Sequence, residues 1–272
     1  MRDLRTLLLA LLLALGRRAA AQDAPAAQPL CIGQTFTIPS KILGETRRLN
    51  VYLPAGYAES ATQRLPVLYM PDGGLGEDFL HVAGLVQVLV SDNSMRPFIV
   101  VGIENTARRR DLTGPTTSAE DRKIAPRVGG SAAFRQFIRQ ELMPEVRRRY
   151  RTTPETAIVG ESLAGLFVVE TLLLEPALFD TYLAFDPSLW WNNGQLARQA
   201  PALLKTYAGP ARRAYLATSS QGDTTATREL ARALNHEATR SFCGYYEALP
   251  QETHQTLYHP AALGAFRRAF KP

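Results

Sequence analysis

The sequence predicts an α/β fold, a mostly parallel central sheet with helices on both faces. Two patterns carry that expectation. Strand-like and helix-like segments alternate from about residue 34 onward, the order of a sheet built from βα units. Several strand-like segments are short continuous apolar runs rather than alternating ones, as in strands covered on both faces. The chain has 272 residues, 46% hydrophobic and 21% charged, an ordinary globular composition with room for one large core.

The first twenty-one residues stand apart. Arg2 and Arg5 make a basic start, a Leu/Ala run spans Thr6 to Gly16, and Ala19-Ala20-Ala21 offers a small-residue cleavage site. This is the order of a secretory signal peptide, so segment 1–21 is expected to be removed and the protein exported, periplasmic or secreted. The apolar run is short for a membrane span, which needs about 20 residues, and no stable membrane insertion is expected after cleavage. Segment 22–29 is Ala/Pro/Gln-rich and reads as a flexible leader. One domain is expected over 30–272.

Removing Met1 to Ala21 takes away four Arg and one Asp, which lowers the formal charge from +6 to a net of about +3. That balance argues against nucleic acid as a partner. In an oxidising compartment the two cysteines, Cys31 and Cys243, are expected to form a disulfide. Two Cys without a nearby His pattern do not make a metal site, and neither a metal nor an organic cofactor is expected.

Within the domain, Gln34 to Ile38 and Arg47 to Leu53 read as an edge hairpin. Pro66 to Met70 and Phe98 to Ile103 read as buried strands. Ser131 opens a helix to about Tyr150, with Phe134, Phe137, Ile138, Leu142 and Val146 on one face. Thr156 to Val159 is the next strand, and Leu163 to Leu174 is apolar nearly all round, hence a buried helix. Tyr182 to Phe185 and Ala214 to Ala217 are further strands. Thr224 to about Ala238 is an amphipathic helix, Gly244 to Leu249 the last strand, and Ala261 to Phe270 the last helix.

Gly160-Glu161-Ser162-Leu163-Ala164-Gly165 lies where a strand passes into a helix. That context suits the nucleophile elbow of the α/β-hydrolase fold, in which a strained tight turn lifts a Ser hydroxyl above the sheet edge. Residues two before and two after the Ser must be small, as Gly160 and Ala164 are. Ser162 is therefore the candidate nucleophile; its plainer reading is a helix cap. A Ser hydroxyl needs a base, and the fold's chain order of Ser, acid, His places that base late. His254, in the loop after the last strand, is the candidate, with His259 as the fallback. For the acid, Asp223 follows a strand end through Ser219 to Gly222; it is also well placed to cap the next helix, and Glu252 is the alternative. The oxyanion donors expected are the amides of Leu163 and of Gly73 or Gly74.

These motifs resemble the putative esterase family of α/β hydrolases, which includes ferric enterobactin esterases and S-formylglutathione hydrolases. The resemblance covers most of the chain. It rests on Leu65-Pro-Val-Leu-Tyr, Val101-Gly-Ile-Glu-Asn-Thr with Arg110-Asp-Leu-Thr, Phe134 through Glu141-Leu-Met-Pro144, Gly160-Glu-Ser-Leu-Ala-Gly-Leu-Phe, Asp186-Pro-Ser-Leu-Trp-Trp and Glu252-Thr-His254. The Arg-Asp-Leu-Thr and Pro-Ser-Leu-Trp-Trp blocks are most like the siderophore-esterase-like branch. The resemblance implies hydrolysis of a small-molecule ester through an acyl-enzyme on Ser162 and His254. Three features depart from it. Glu161 stands where the family commonly has His, Ala164 replaces a Gly, and Gln-Thr follows His254 where Gly-Ser is frequent. Arg108, Arg110, Trp190 and Trp191 are candidates to line a substrate cleft, Arg for an anionic acyl group and Trp for a flat or sugar-like one. The plainer readings are an ion pair of Arg110 with Asp111 and a core role for Trp190. An acyltransferase using the same residues and a non-catalytic binding module are the alternative functions.

Overall fold

The computed structural model describes residues 27–236 and 241–272. The expected signal peptide and residues 22–26 of the expected leader lie outside the described residues. The chain divides into Met1–Ile32 and one compact unit, Gly33–Pro272. Among the described residues no helix is long and apolar enough to cross a membrane.

Eight strands form one sheet in the order β1-β2-β4-β3-β5-β6-β7-β8. The hairpin of β1 (Gln34–Ser40) and β2 (Glu45–Tyr52) is antiparallel and packs antiparallel on β4 (Ile99–Ile103). Gly44 takes a φ of +66° in its turn, a backbone state open to a residue without Cβ. The remaining pairings, through β3 (Leu65–Pro71), β5 (Thr152–Glu161), β6 (Thr181–Phe185), β7 (Arg212–Ser219) and β8 (Phe242–Leu249), are all parallel.

Strand periodicity divides the apolar side chains between two cores. Val67, Tyr69, Ile158, Tyr182, Ala184 and Leu216 face one layer, while Leu68, Met70, Ala157, Val159, Leu183 and Ala217 face the other. The first layer holds α4 (Ser131–Phe137), α5 (Met143–Arg149), α6 (Leu163–Leu174), α7 (Trp191–Lys205) and α8 (Thr224–Leu234). The second holds α1 (Phe79–Ser91) and α9 (Tyr258–Ala269). Two short helices, α2 (Arg108–Asp111) and α3 (Ala119–Ile124), lie between β4 and α4. This is the α/β-hydrolase layering that the apolar strand runs anticipate.

The expected helix from Ser131 is one rod in three parts. A π-helical turn, Ile138–Leu142, joins α4 to α5. Pro144 sits in the first turn of α5; it lacks an N–H, and the wider turn before it relieves the missing bond. Phe134, Phe137, Ile138, Leu142 and Val146 are all buried, as their spacing predicts. Helix α7 contains a left-handed stretch at Asn192, Asn193 and Gly194. Among the described residues there is no disulfide, so the expected Cys31–Cys243 bond is not formed, and both side chains are exposed.

A buried ion network anchors α2. Arg47 on β2 is fully buried and its guanidinium meets Asp111 at 2.5 Å. Arg110 donates to Asp111 at 2.6 Å and to Glu45 at 2.7 Å. Removing one partner of such a pair strands the other charge out of water. Asp111→Ala is expected to cost about 3–5 kcal/mol in urea-induced unfolding; a loss under about 1 kcal/mol would show that Arg47 finds other partners.

Candidate active site

The elbow has the expected geometry. Ser162 lies between β5 and α6 with φ 61° and ψ −120°, a conformation that non-glycine residues rarely adopt. A Cβ on Gly160 would sit 2.7 Å from Ala164, and one on Gly165 would sit 2.9 Å from the Phe185 carbonyl. Both glycines are therefore demanded by the close approach of strand and helix. The Ser162 N–H donates to Phe185 O at 3.0 Å, and the Ser188 N–H donates to Ser162 O at 3.1 Å. Those two partners flank Asp186, so the turn is stitched to the loop that leaves β6.

Asp186 is the carboxylate facing the imidazole. Its Oδ2 lies 3.1 Å from His254 Nδ1. The Ser219 N–H and hydroxyl donate to its Oδ1 and Oδ2 at 2.7 and 2.5 Å. Asp223, the acid expected from sequence, is instead the N-cap of α8 and accepts from the Ala226 N–H at 2.9 Å. The alternative, Glu252, braces the neighbouring loop through its backbone, where its carbonyl accepts from the Ser220 N–H and hydroxyl. The missed signal was present: Asp186 directly follows a strand and lies between Ser162 and His254 in chain order. Gly222 also serves Asp186, because a Cβ there would fall 2.0 Å from Oδ1.

His254 is held in place from the loop after β7. Its N–H donates to Gln221 Oε1 at 3.0 Å. The fallback, His259, faces His81 on α1, with ring nitrogens 3.1 Å apart.

The oxyanion expectations divide. Leu163 opens α6, so its N–H has no acceptor one turn back within the helix. Gly73 and Gly74 do not offer free amides. The Gly73 N–H donates to Ile103 O at 3.0 Å and the Gly74 N–H to Glu77 Oε2 at 2.7 Å. Gly73 is small for another reason: a Cβ there would lie 2.2 Å from the Ile103 nitrogen.

The four expected substrate residues also divide. Arg110 belongs to the buried network described above, and Trp191 is buried with its indole N–H donating to Gly114 O at 2.9 Å. Trp190 is 48% exposed on the loop after Asp186. Arg108 makes a two-pronged pair with Asp72, both bonds 2.7 Å.

The floor of the site is acidic. Burial pushes Glu161 up to about 7, with the opposite charge of His254 pulling it back and Asp78 and Asp186 adding to the rise. Burial and the neighbouring Asp72 push Asp78 up to about 6. Glu161 Oε1 lies 3.7 Å from His254 Nδ1. Glu161, Asp186 and His254 are the one grouping among the described residues whose side chains are of a type and spacing that could hold a metal ion, with the relevant atoms within 4.8 Å of one another. Two of those atoms, Asp186 Oδ2 and His254 Nδ1, face each other directly.

The pattern of the family described as "Putative esterase" matches residues 40–259. The chain belongs to that family. Its relatives include a ferri-bacillibactin esterase from Bacillus subtilis, 34% identical over 58% of this chain and 61% of the relative. A siderophore triacetylfusarinine C esterase from Aspergillus fumigatus is 30% identical over 68% of this chain and 65% of the relative. The matched stretch thus spans less than two thirds of either curated relative. Among solved structures, an IroE-like serine hydrolase from Shewanella oneidensis superposes with a TM-score of 0.79 at 28% identity, over 88% of this chain and 80% of that one.

Asp223→Ala is expected to remove a helix cap and cost about 1 kcal/mol of stability, read as a lowered urea midpoint. Gly222→Ala is expected to destabilise more, because its methyl overlaps the Asp186 carboxylate. Equal or reversed effects would contradict both placements.

Proposed function

We propose that the protein is a serine esterase that hydrolyses a carboxylic ester through an acyl-enzyme. The observation that carries this reading is the Asp186–His254 pair beside the strained Ser162 turn. Asp186 accepts the Nδ1 proton of His254 and so leaves Nε2 as the base. His254 takes the Ser162 hydroxyl proton as the oxygen attacks the ester carbonyl. The tetrahedral oxyanion gathers at the N-terminus of α6, where the Leu163 amide donates and the helix dipole favours negative charge. His254 then protonates the leaving alcohol as the C–O bond breaks. Water repeats the sequence on the acyl-Ser162 ester, which releases the acid and restores the hydroxyl.

For the substrate, the supporting facts are the relatives named for ferric or other siderophore esters and the exposed ring of Trp190 on the Asp186 loop. A siderophore-type ester presents a flat or extended acyl arm that Trp190 can stack against. Arg108 is the cation of the site, shared with Asp72. The basic start and apolar run of segment 1–21 support export, to the periplasm or beyond.

Two measurements test this reading. A fluorophosphonate probe is expected to label the wild type and to leave Ser162→Ala unlabelled; equal labelling would remove Ser162 from the chemistry. On a panel of iron-loaded catecholate triesters, iron-loaded hydroxamate esters and short p-nitrophenyl esters, Asp186→Asn is expected to lose about 10³–10⁴ in kcat. Asp223→Ala should stay within about twofold, because a cap contributes to stability and not to the base. The reverse ranking would reinstate Asp223 as the acid.

A further inference from the structure

Glu161 has no place in the mechanism above, yet it lies inside the site. Its Oε1 is buried with no hydrogen-bond partner among the described residues. A carboxylate oxygen in that state is costly unless something uses it. The groups facing it come from every neighbouring element. They are His254 from the loop after β8, Asp186 from the end of β6, Asp78 at the start of α1, Arg108 on α2 and Tyr258 on α9. Arg108 has committed its Nε and one terminal nitrogen to Asp72. The Tyr258 hydroxyl is itself buried and without a partner. The cation that forms nearest to Glu161 is the imidazolium of His254.

We propose that Glu161 is a second carboxylate for His254, a positioning residue that acts on the base by charge. At 3.7 Å from Nδ1 it is too far for a hydrogen bond and close enough for a strong Coulomb interaction. Asp186 orients the ring through its bond to Nδ1. Glu161 adds a negative charge on the same side and so favours the imidazolium that appears when Ser162 gives up its proton. The inference rests on the catalytic reading of Ser162 and His254 given above.

The charge on Glu161 is itself conditional. Burial raises its proton affinity to about 7, so the second charge is off in acid and on above neutrality. The acid limb of kcat/KM reports the ionisation of the site that holds Glu161. Glu161→Gln removes the charge at every pH. Without it the imidazolium is less favoured, the proton leaves His254 more readily, and the acid limb moves down.

The test is kcat/KM for p-nitrophenyl acetate against pH, followed by pH-stat, for the wild type, Glu161→Gln and Glu161→Asp. The midpoint of the acid limb is expected to fall by about one pH unit in Glu161→Gln, with a lower plateau. Glu161→Asp, which keeps the charge, should restore most of the midpoint. A residue that only supports the fold would lower the plateau and leave the midpoint where it is, and that result overturns the inference. Should Glu161→Gln fail to fold by circular dichroism, Glu161→Met, which is likewise uncharged at every pH, reads the same downward shift. Ser162→Ala separates the two levels. If it keeps full activity, the catalytic reading falls; if it is inactive and the Glu161 variants leave the midpoint unmoved, only this inference falls.

Discussion

The backbone at Ser162 is held where a side-chain-bearing residue does not rest by choice. A conformation of this kind costs about 1–3 kcal/mol and persists only when its surroundings over-determine it. Here the surroundings are explicit. Gly160 lets β5 run against Ala164, Gly165 lets α6 approach the end of β6, and the Ser162 amide and carbonyl are both tied to residues flanking Asp186. Relaxing the turn would break those bonds and open the strand–helix contact. The position of Asp186, and through it the orientation of His254, depends on the same stitch.

From that constraint the rest of the site follows as a set of strand-end loops. The loop after β6 carries Asp186. The loop after β7 holds it, through both the N–H and the hydroxyl of Ser219, and then holds His254 through Gln221. The loop after β8 brings His254. No one loop carries both Asp186 and His254, yet each loop is hydrogen-bonded to the next. The Ser219 to Gly222 stretch shapes the site by cradling a carboxylate from elsewhere rather than by delivering its own.

Most of the fold was legible because it depends on local pattern. The apolar runs at Val67–Met70 and Val100–Ile103 announce buried strands, and the sterics of Gly160, Ser162 and Ala164 announce the turn. What the residues did not disclose lies in three-dimensional pairing. Asp186 and Asp223 both follow strands and both precede His254, and only the register of the sheet decides which one reaches it. The glycines at 73 and 74 do mark a close approach of backbone, but not one to a ligand. The close approach is to Gly102 and Ile103 in the sheet, and Glu77 has taken the second amide. Trp190 and Trp191 are adjacent in sequence and opposite in fate, one half exposed and one buried. Helices α1 and α7 went unread. α1 follows a turn-rich Gly stretch, and α7 begins with a left-handed stretch that masks its periodicity.

Helix α2 is one turn long and cannot persist alone; its order comes from Arg47, Glu45 and Asp111. Of these, Glu45 responds to acidity in a calculable way. Its bond to Arg110, helped by Thr106 and Arg47 and opposed by partial burial, holds its carboxyl down to about 2. Because that value is below the ordinary carboxylate range, the stabilisation it lends is complete above that range, declines as pH falls below it and is gone below about 2. The Arg47–Asp111 contact is buried, so dissolved ions screen it poorly. The segment that presents Arg108 is thus fastened by one contact that yields only to sourness and another that brine barely reaches.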